Sequence, residues 1–239
     1  MENVMFYYMF MPLNRHIDAG FGATGDAFHE AAETLLKDKV NFLNSNLPIN
    51  FLFRHAIELY FKSLIIVLHR RLQLPFGDKS SDGTPSICIG EKWKPIHNVH
   101  SVNDLYQYFK KLIYDNKSQI QGIAKTDWSA IPKELDGWIE QIEKYDKTST
   151  LFRYPVTHNQ ADDCEKSAWK EVSPDKLAAS LNTNTKTKSF LIVDDNNNVI
   201  NAYQYDDAAM EQLHDALKRT ADLLSGAHCG MRVELAGGK

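Results

Sequence analysis

Cysteine is scarce in this chain of 239 residues: Cys88, Cys164 and Cys229 are odd in number and far apart. No C-x-x-C occurs, and cysteine and histidine do not fall at zinc-finger spacing, which argues against a disulfide framework and a structural metal. Thiols used this sparingly fit a reducing compartment. An excess of positive charge is also missing. The formal net charge is -4, so no global field gathers nucleic acid, although local basic patches stay compatible with that sum. No Walker loop and no G-x-S-x-G occur, and no motif support is expected for ATP hydrolysis, dinucleotide binding or serine hydrolysis. Nor does the N-terminus offer a membrane span. Its apolar run, Val4–Met11, is too short to cross a bilayer and lacks the basic region and cleavage site of a signal peptide. A docked N-terminal strand or arm of a cytoplasmic protein is expected, with no cofactor.

What is present is an ordinary globular composition, 43% hydrophobic and 24% charged, in a chain long enough for a sizeable core. "GDAFHEAAETLLKDKVNFL" sets Phe28, Ala31, Ala32, Leu35 and Leu36 at helical spacing, with Asp26 as the expected cap. A second helix enters through Pro48 and closes on Arg70 and Arg71, cations suited to the negative end of its dipole. Residues 73–100 hold Pro75, Gly77, Gly83, Pro85, Gly90 and Pro95, and read as a long excursion with one short strand, Ile87–Ile89. Ser101 and Asp104 have capping-box spacing ahead of a helix burying Leu105, Tyr108, Phe109 and Leu112. Ile131, Leu135, Trp138, Ile142 and Tyr145 predict another helix with Pro132 in its first turn. "SFLIVDDNNNVINAYQY" reads as a β-hairpin turning at Asp195–Asn198. A last helix, about 206–225, buries Met210, Leu213, Leu217 and Leu224 and stops at Gly226, leaving a frayed tail. The expected fold is mainly α: an antiparallel helical bundle with a small β-hairpin before the C-terminal helix. One domain covers 1–239, with the bundle core at about 25–155 and the hairpin and last helix at about 188–226.

The second helix, "NFLFRHAIELYFKSLIIVLHRR", is apolar yet carries charges. At 100° per residue Asn50, Arg54, Glu58, Lys62 and His69 share a sector of roughly 140°, with His55 at its edge. Arg54–Glu58 and Glu58–Lys62 are both i,i+4 pairs, which places one carboxylate between two cations. On a solvated face each pair contributes about 0.2–0.5 kcal/mol. Buried, the loss of one partner costs about 3–5 kcal/mol. The stripe is therefore either an ionic knot under the bundle or the lining of a ligand groove.

"FLFRHAIELYFKSLI", "HNVHSVNDLYQYF" and "LFRYP" together resemble the HEPN superfamily (higher eukaryotes and prokaryotes nucleotide-binding), over roughly residues 25–155. That resemblance implies a helical bundle acting as a homodimer. Many members are metal-independent endoribonucleases of toxin–antitoxin or antiviral systems, and others are non-catalytic modules that bind RNA, nucleotides or partner proteins. It also implies an Arg-x4–6-His motif, which Arg153 and His158 match in "RYPVTH". The chemistry needs little else. Histidine moves a proton from the RNA 2′-hydroxyl near neutral pH, and arginine grips the scissile phosphate. Pro155 disfavours a helical Tyr154, so this segment is expected on a turn.

Two readings of these residues stay open. In one, Arg153 and His158 are catalytic, with Arg54, His55 or Lys62 as supporting cations. In the other, Arg153 is a structural partner of Glu58. His100, at the start of the third helix, is a cap or packing residue unless the polar stripe faces it. "DDCEK" (Asp162–Lys166) has the letters of a nuclease carboxylate cluster without the upstream acid such a site needs.

Overall fold

The second helix, α2 (Asn46–Arg71), is apolar on nearly every side, and a helix of that kind forms only where neighbours cover it. In the computed structural model, which describes residues 10–38, 44–181, 188–206 and 208–238, three helices do so. These are α1 (Phe21–Lys37), α3 (Val102–Asp115) and α8 (Glu211–Ala236), while α5 (Lys133–Asp146) packs across α3 and α8. Phe53, Ile57, Tyr60, Phe61, Leu64 and Ile65 of α2 are fully buried. Burial of each such side chain contributes about 1.5–3 kcal/mol. The core therefore runs along α2. Among the described residues the fold is mainly helical, with two small antiparallel sheets.

Local chemistry explains most helix ends. Ser101 Oγ accepts the Asp104 N–H at 3.0 Å and starts α3. Pro132 stands at the N-cap of α5, where its missing N–H costs nothing. Asp26, expected to cap α1, lies inside it. The helix starts earlier because Asp18 caps it instead: its carboxylate accepts the N–H groups of Gly20 (3.0 Å) and Gly22 (2.8 Å). Gly226 does not end α8 either. The helix continues ten residues to Ala236 and ends at Gly237, whose φ of +64° allows its N–H and that of Gly238 to reach the Val233 and Arg232 carbonyls. The expected frayed tail is core, with Met231 and Leu235 buried. The expected arm Val4–Met11 lies almost wholly outside the described residues, as does the stretch 39–43 assigned to the first helix.

The 73–100 excursion is docked. It carries two strands where one was expected, β1 (Ser86–Ile89) and β2 (Lys92–Pro95), joined through Gly90 at φ +62°. Phe76 stacks on His69 at 4.2 Å, and His69 also contacts Tyr108 (2.9 Å) and the Leu74 carbonyl (3.1 Å). Two short helices, α4 (Lys117–Gln121) and α6 (Gln160–Lys166), occupy the connections after α3 and α5. The expected hairpin is present as β4 (Ser189–Val193) and β5 (Val199–Tyr205), turning through Asn197 at φ +61°. It gains a third strand that the sequence reading missed, β3 (Trp169–Val172), in the order β3-β5-β4, and α7 (Pro174–Leu181) packs on β5. No helix among the described residues is long and apolar enough to cross a membrane.

Candidate functional site

Helical spacing alone brings Arg54, Glu58 and Lys62 to one line of α2, and all three are buried. Lys62 Nζ donates to Glu58 Oε1 at 2.7 Å and Arg54 donates to Oε2 at 3.3 Å. Arg54 also donates to the His100 carbonyl at 2.5 Å, and its Nε lies 3.6 Å from the buried carboxylate of Asp146. Asp146 in turn accepts the backbone N–H groups of Thr150 (2.7 Å) and Leu151 (3.0 Å), fixing the turn after α5. Two cations face two carboxylates, so the knot is neutral. Burial pushes the Glu58 carboxyl up, but the Lys62 and Arg54 charges outweigh it and hold its pKa below the ordinary range. Glu58 stays ionised. With no solvent access and every charge matched, the knot is suited to structure.

Above it the same helix reaches the surface. His100, half-exposed, sits with Nδ1 3.1 Å from Glu58 Oε1. One helical position from the knot, half-buried His55 stacks parallel to Phe51 at 5.8 Å and meets the Phe28 ring edge-on at 4.5 Å. The exposed Arg153 guanidinium lies over the same Phe51 ring at 5.9 Å. Burial lowers the His55 pKa below its ordinary value of 6.5. Glu58 opposes that shift, while the charges of Lys62, Arg54 and Arg153 add to it. His55 is therefore neutral at pH 7, and its buried Nδ1 has no hydrogen-bond partner. The surface above the knot thus holds a neutral imidazole, an aromatic face and a free-reaching arginine.

The segment Leu151–Asn159 is irregular, as Pro155 predicts, and His158 is exposed on it. Among the described residues no hydrogen bond, ion pair or ring contact joins Arg153 to His158 within the chain. The expected ion pair between Arg153 and Glu58 is absent too: Lys62 and His100 take one oxygen of Glu58 and Arg54 the other, and Asp146 serves as the second carboxylate of Arg54. The Arg153 turn is anchored from elsewhere. Buried Lys166 donates to the Leu151 and Tyr154 carbonyls (3.0 and 2.8 Å) and to Asp163 (2.6 Å). Asp163 of the "DDCEK" segment is thereby committed to structure, since it also accepts from Thr157.

A second buried polar cluster lies at the start of α1. Gly20, Gly22 and Gly25 have the spacing G-x-G-x-x-G, a signal that the sequence reading missed. In dinucleotide-binding folds this spacing follows a strand and presents helix N–H groups to a phosphate. Here a 3-10 turn, Leu13–Arg15, precedes it, and the Asp18 carboxylate already occupies the N–H groups. Each glycine has a local reason. Gly20 has φ +84°, a Cβ at Gly22 would overlap the His228 ring, and one at Gly25 would press on Tyr60. Ser63 Oγ donates to Asp18 at 2.6 Å and lies 3.0 Å from His228 Nδ1. A hydroxyl has one proton, so His228 donates at Nδ1 and cannot act as a base toward Ser63. A serine nucleophile is excluded on that count. Arg232 lies 3.7 Å from Asp18, and its charge, with the Ser63 and Gly22 hydrogen bonds, outweighs burial and keeps the Asp18 pKa low.

No protein-family model matches the chain, and no curated protein and no solved structure matches it.

Proposed function

We propose that this chain is a HEPN-like protein that cleaves RNA without a metal, with Arg153 and His55 as its phosphate-binding and proton-transfer groups. One observation carries the reading: Arg153 lies over the ring against which neutral, half-buried His55 stacks. His55 takes the proton of a 2′-hydroxyl, the oxygen attacks the neighbouring phosphorus, and Arg153 stabilises the charge that builds on the phosphoryl oxygens. The 5′-oxygen departs with a proton taken from water, leaving a 2′,3′-cyclic phosphate and a free 5′-hydroxyl, and His55 afterwards gives its proton back to solvent. The buried knot holds α2 and the turn after α5 in place beneath these groups. On this reading the protein works in the cytoplasm as a homodimer within a toxin–antitoxin or antiviral system.

The test is cleavage of single-stranded RNA in the presence of a chelator. Arg153→Ala and His55→Ala are each expected to lower the rate at least about 100-fold, with His158→Ala within a few-fold of wild type. Loss in His158→Ala with activity kept in His55→Ala assigns the pair to Arg153 and His158 instead. RNA or partner binding without turnover in the wild type replaces the enzyme by a non-catalytic module on the same scaffold.

A further inference from the structure

His29 and Glu33 stand four residues apart on α1 and so share a face. Asp222 meets them from α8. One donor atom from each, His29 Nε2 and a carboxylate oxygen of Glu33 and of Asp222, lies within 4.8 Å of the others. Donors around one first-row divalent ion sit about 2.0–2.2 Å from it and so at most about 4.4 Å apart. Asp222 is half-exposed, so the side chain that must move to close that gap is at the surface.

The contacts of His29 point the same way. Tyr60 donates to Asp26 at 2.8 Å, and its oxygen lies 3.3 Å from His29 Nδ1, so Nδ1 is held from outside the cluster while Nε2 faces Asp222 Oδ1 at 3.0 Å. A metal-ligating histidine is held in the same way, one nitrogen on the ion and the other on an outer group. Lys218 already supplies positive charge nearby, donating to Glu33 at 2.6 Å and Asp222 at 3.0 Å. Its side chain is about one-third exposed and can swing into solvent.

We infer that His29, Glu33 and Asp222 form a binding site for a divalent first-row cation, with Lys218 as the internal occupant that the cation displaces. One imidazole and two carboxylates suit Zn2+ or Mn2+. Three protein donors leave coordination positions for water or for a donor atom of a bound molecule. Asp222 also lines a cleft of about 390 Å3, whose walls include Trp128, Ile131, Leu135 and Leu223. That cleft fits a small molecule with an apolar body and one oxygen or nitrogen donor. RNA cleavage at Arg153 does not require this ion, so the two proposals fail independently.

The test is calorimetric titration of chelator-stripped full-length protein with ZnCl2 and with MnCl2, each variant first checked by its melting curve. One ion per chain is expected. Lys218→Met should bind at least tenfold more tightly than wild type, because the competing ammonium is gone. Glu33→Gln and Asp222→Asn, near-isosteric changes at partly exposed positions, should bind at least tenfold more weakly, and His97→Ala should bind as wild type does. Unchanged affinity in Lys218→Met, or wild-type affinity in both Glu33→Gln and Asp222→Asn, overturns the site.

Discussion

α2 contributes to two buried ionic clusters that are assembled in opposite ways. The knot around Glu58 takes three of its charges, Arg54, Glu58 and Lys62, from consecutive turns of one helix and adds Asp146 and His100 from outside. The cluster around Asp18 takes four residues from three distant places: Asp18 before α1, Ser63 in α2, and His228 with Arg232 near the end of α8. Both match each buried cation with a carboxylate. They differ in what they hold. The Glu58 knot fixes the beginning of α3 and the turn after α5 against α2. The Asp18 cluster caps α1 and pins the last turns of α8. A locally built cluster forms as soon as its helix does, whereas a dispersed one exists only once three elements have docked.

Removing the central carboxylate of each cluster should break the comparison open. Glu58→Ala strands Lys62 in the core and leaves Arg54 only Asp146 and the His100 carbonyl, and a loss of about 3–5 kcal/mol is expected in urea unfolding. Asp18→Ala takes the acceptor from two helix N–H groups and a carboxylate from beside Arg232, but leaves Ser63 and His228 to pair with each other; about 3 kcal/mol is expected. Gly22→Ala tests the close approach of α8 without removing a charge, although its Cβ also crowds the Asp18 carboxylate. Its Cβ meets the His228 ring, and overpacking of this kind costs about 1–3 kcal/mol. The same change at Gly226, where a Cβ meets open space, should be neutral or slightly stabilising.

Acid should separate the clusters with a smaller effect. Burial holds the His228 pKa below its ordinary 6.5, although the Asp26 and Asp18 charges oppose it. Below pH 6.5 the unfolded chain therefore binds a proton that the fold refuses, and stability falls as pH falls. One such histidine contributes a slope of up to about 1.4 kcal/mol per pH unit. The depressed pKa values of Glu58 and Asp18 act lower down, where their stabilisation is lost as pH drops through the carboxylate range. Urea midpoints between pH 7 and 5 should thus be flatter in His228→Gln than in wild type. Glu58→Gln, though less stable, should keep the wild-type slope over that window.

The contrast between the clusters also shows what could be read from residues alone. Arg54, Glu58 and Lys62 declare themselves by i,i+4 spacing, and the apolar arc around them declares a central helix. Ser101 and Pro132 mark their helix starts because a cap needs only a few neighbouring residues. Asp146 gave no such signal, since its link to Arg54 spans 92 positions between the residues named, and the Asp18 cluster spans more. Gly226 misled because a glycine ends a helix only where its backbone turns left-handed, and packing of Met231 and Leu235 kept α8 going until Gly237. The pairing of β3 with β5 was hidden for the same reason: register across a long connection is set by docking. His55 was visible as an edge residue of the charged sector, but its nearness to Arg153 depends on Lys166 holding the distant turn.

On the proposed function, chemistry belongs to the exposed end of this arrangement and structure to its buried end. The most direct measurement is the ratio of RNA cleavage rates in chelator for His55→Ala and His158→Ala, taken below the melting temperature of each. A His55→Ala rate about 100-fold lower than that of His158→Ala is predicted, with wild-type activity falling in acid through a pKa below 6.5. Equal rates in the two variants, or loss confined to His158→Ala, would contradict it.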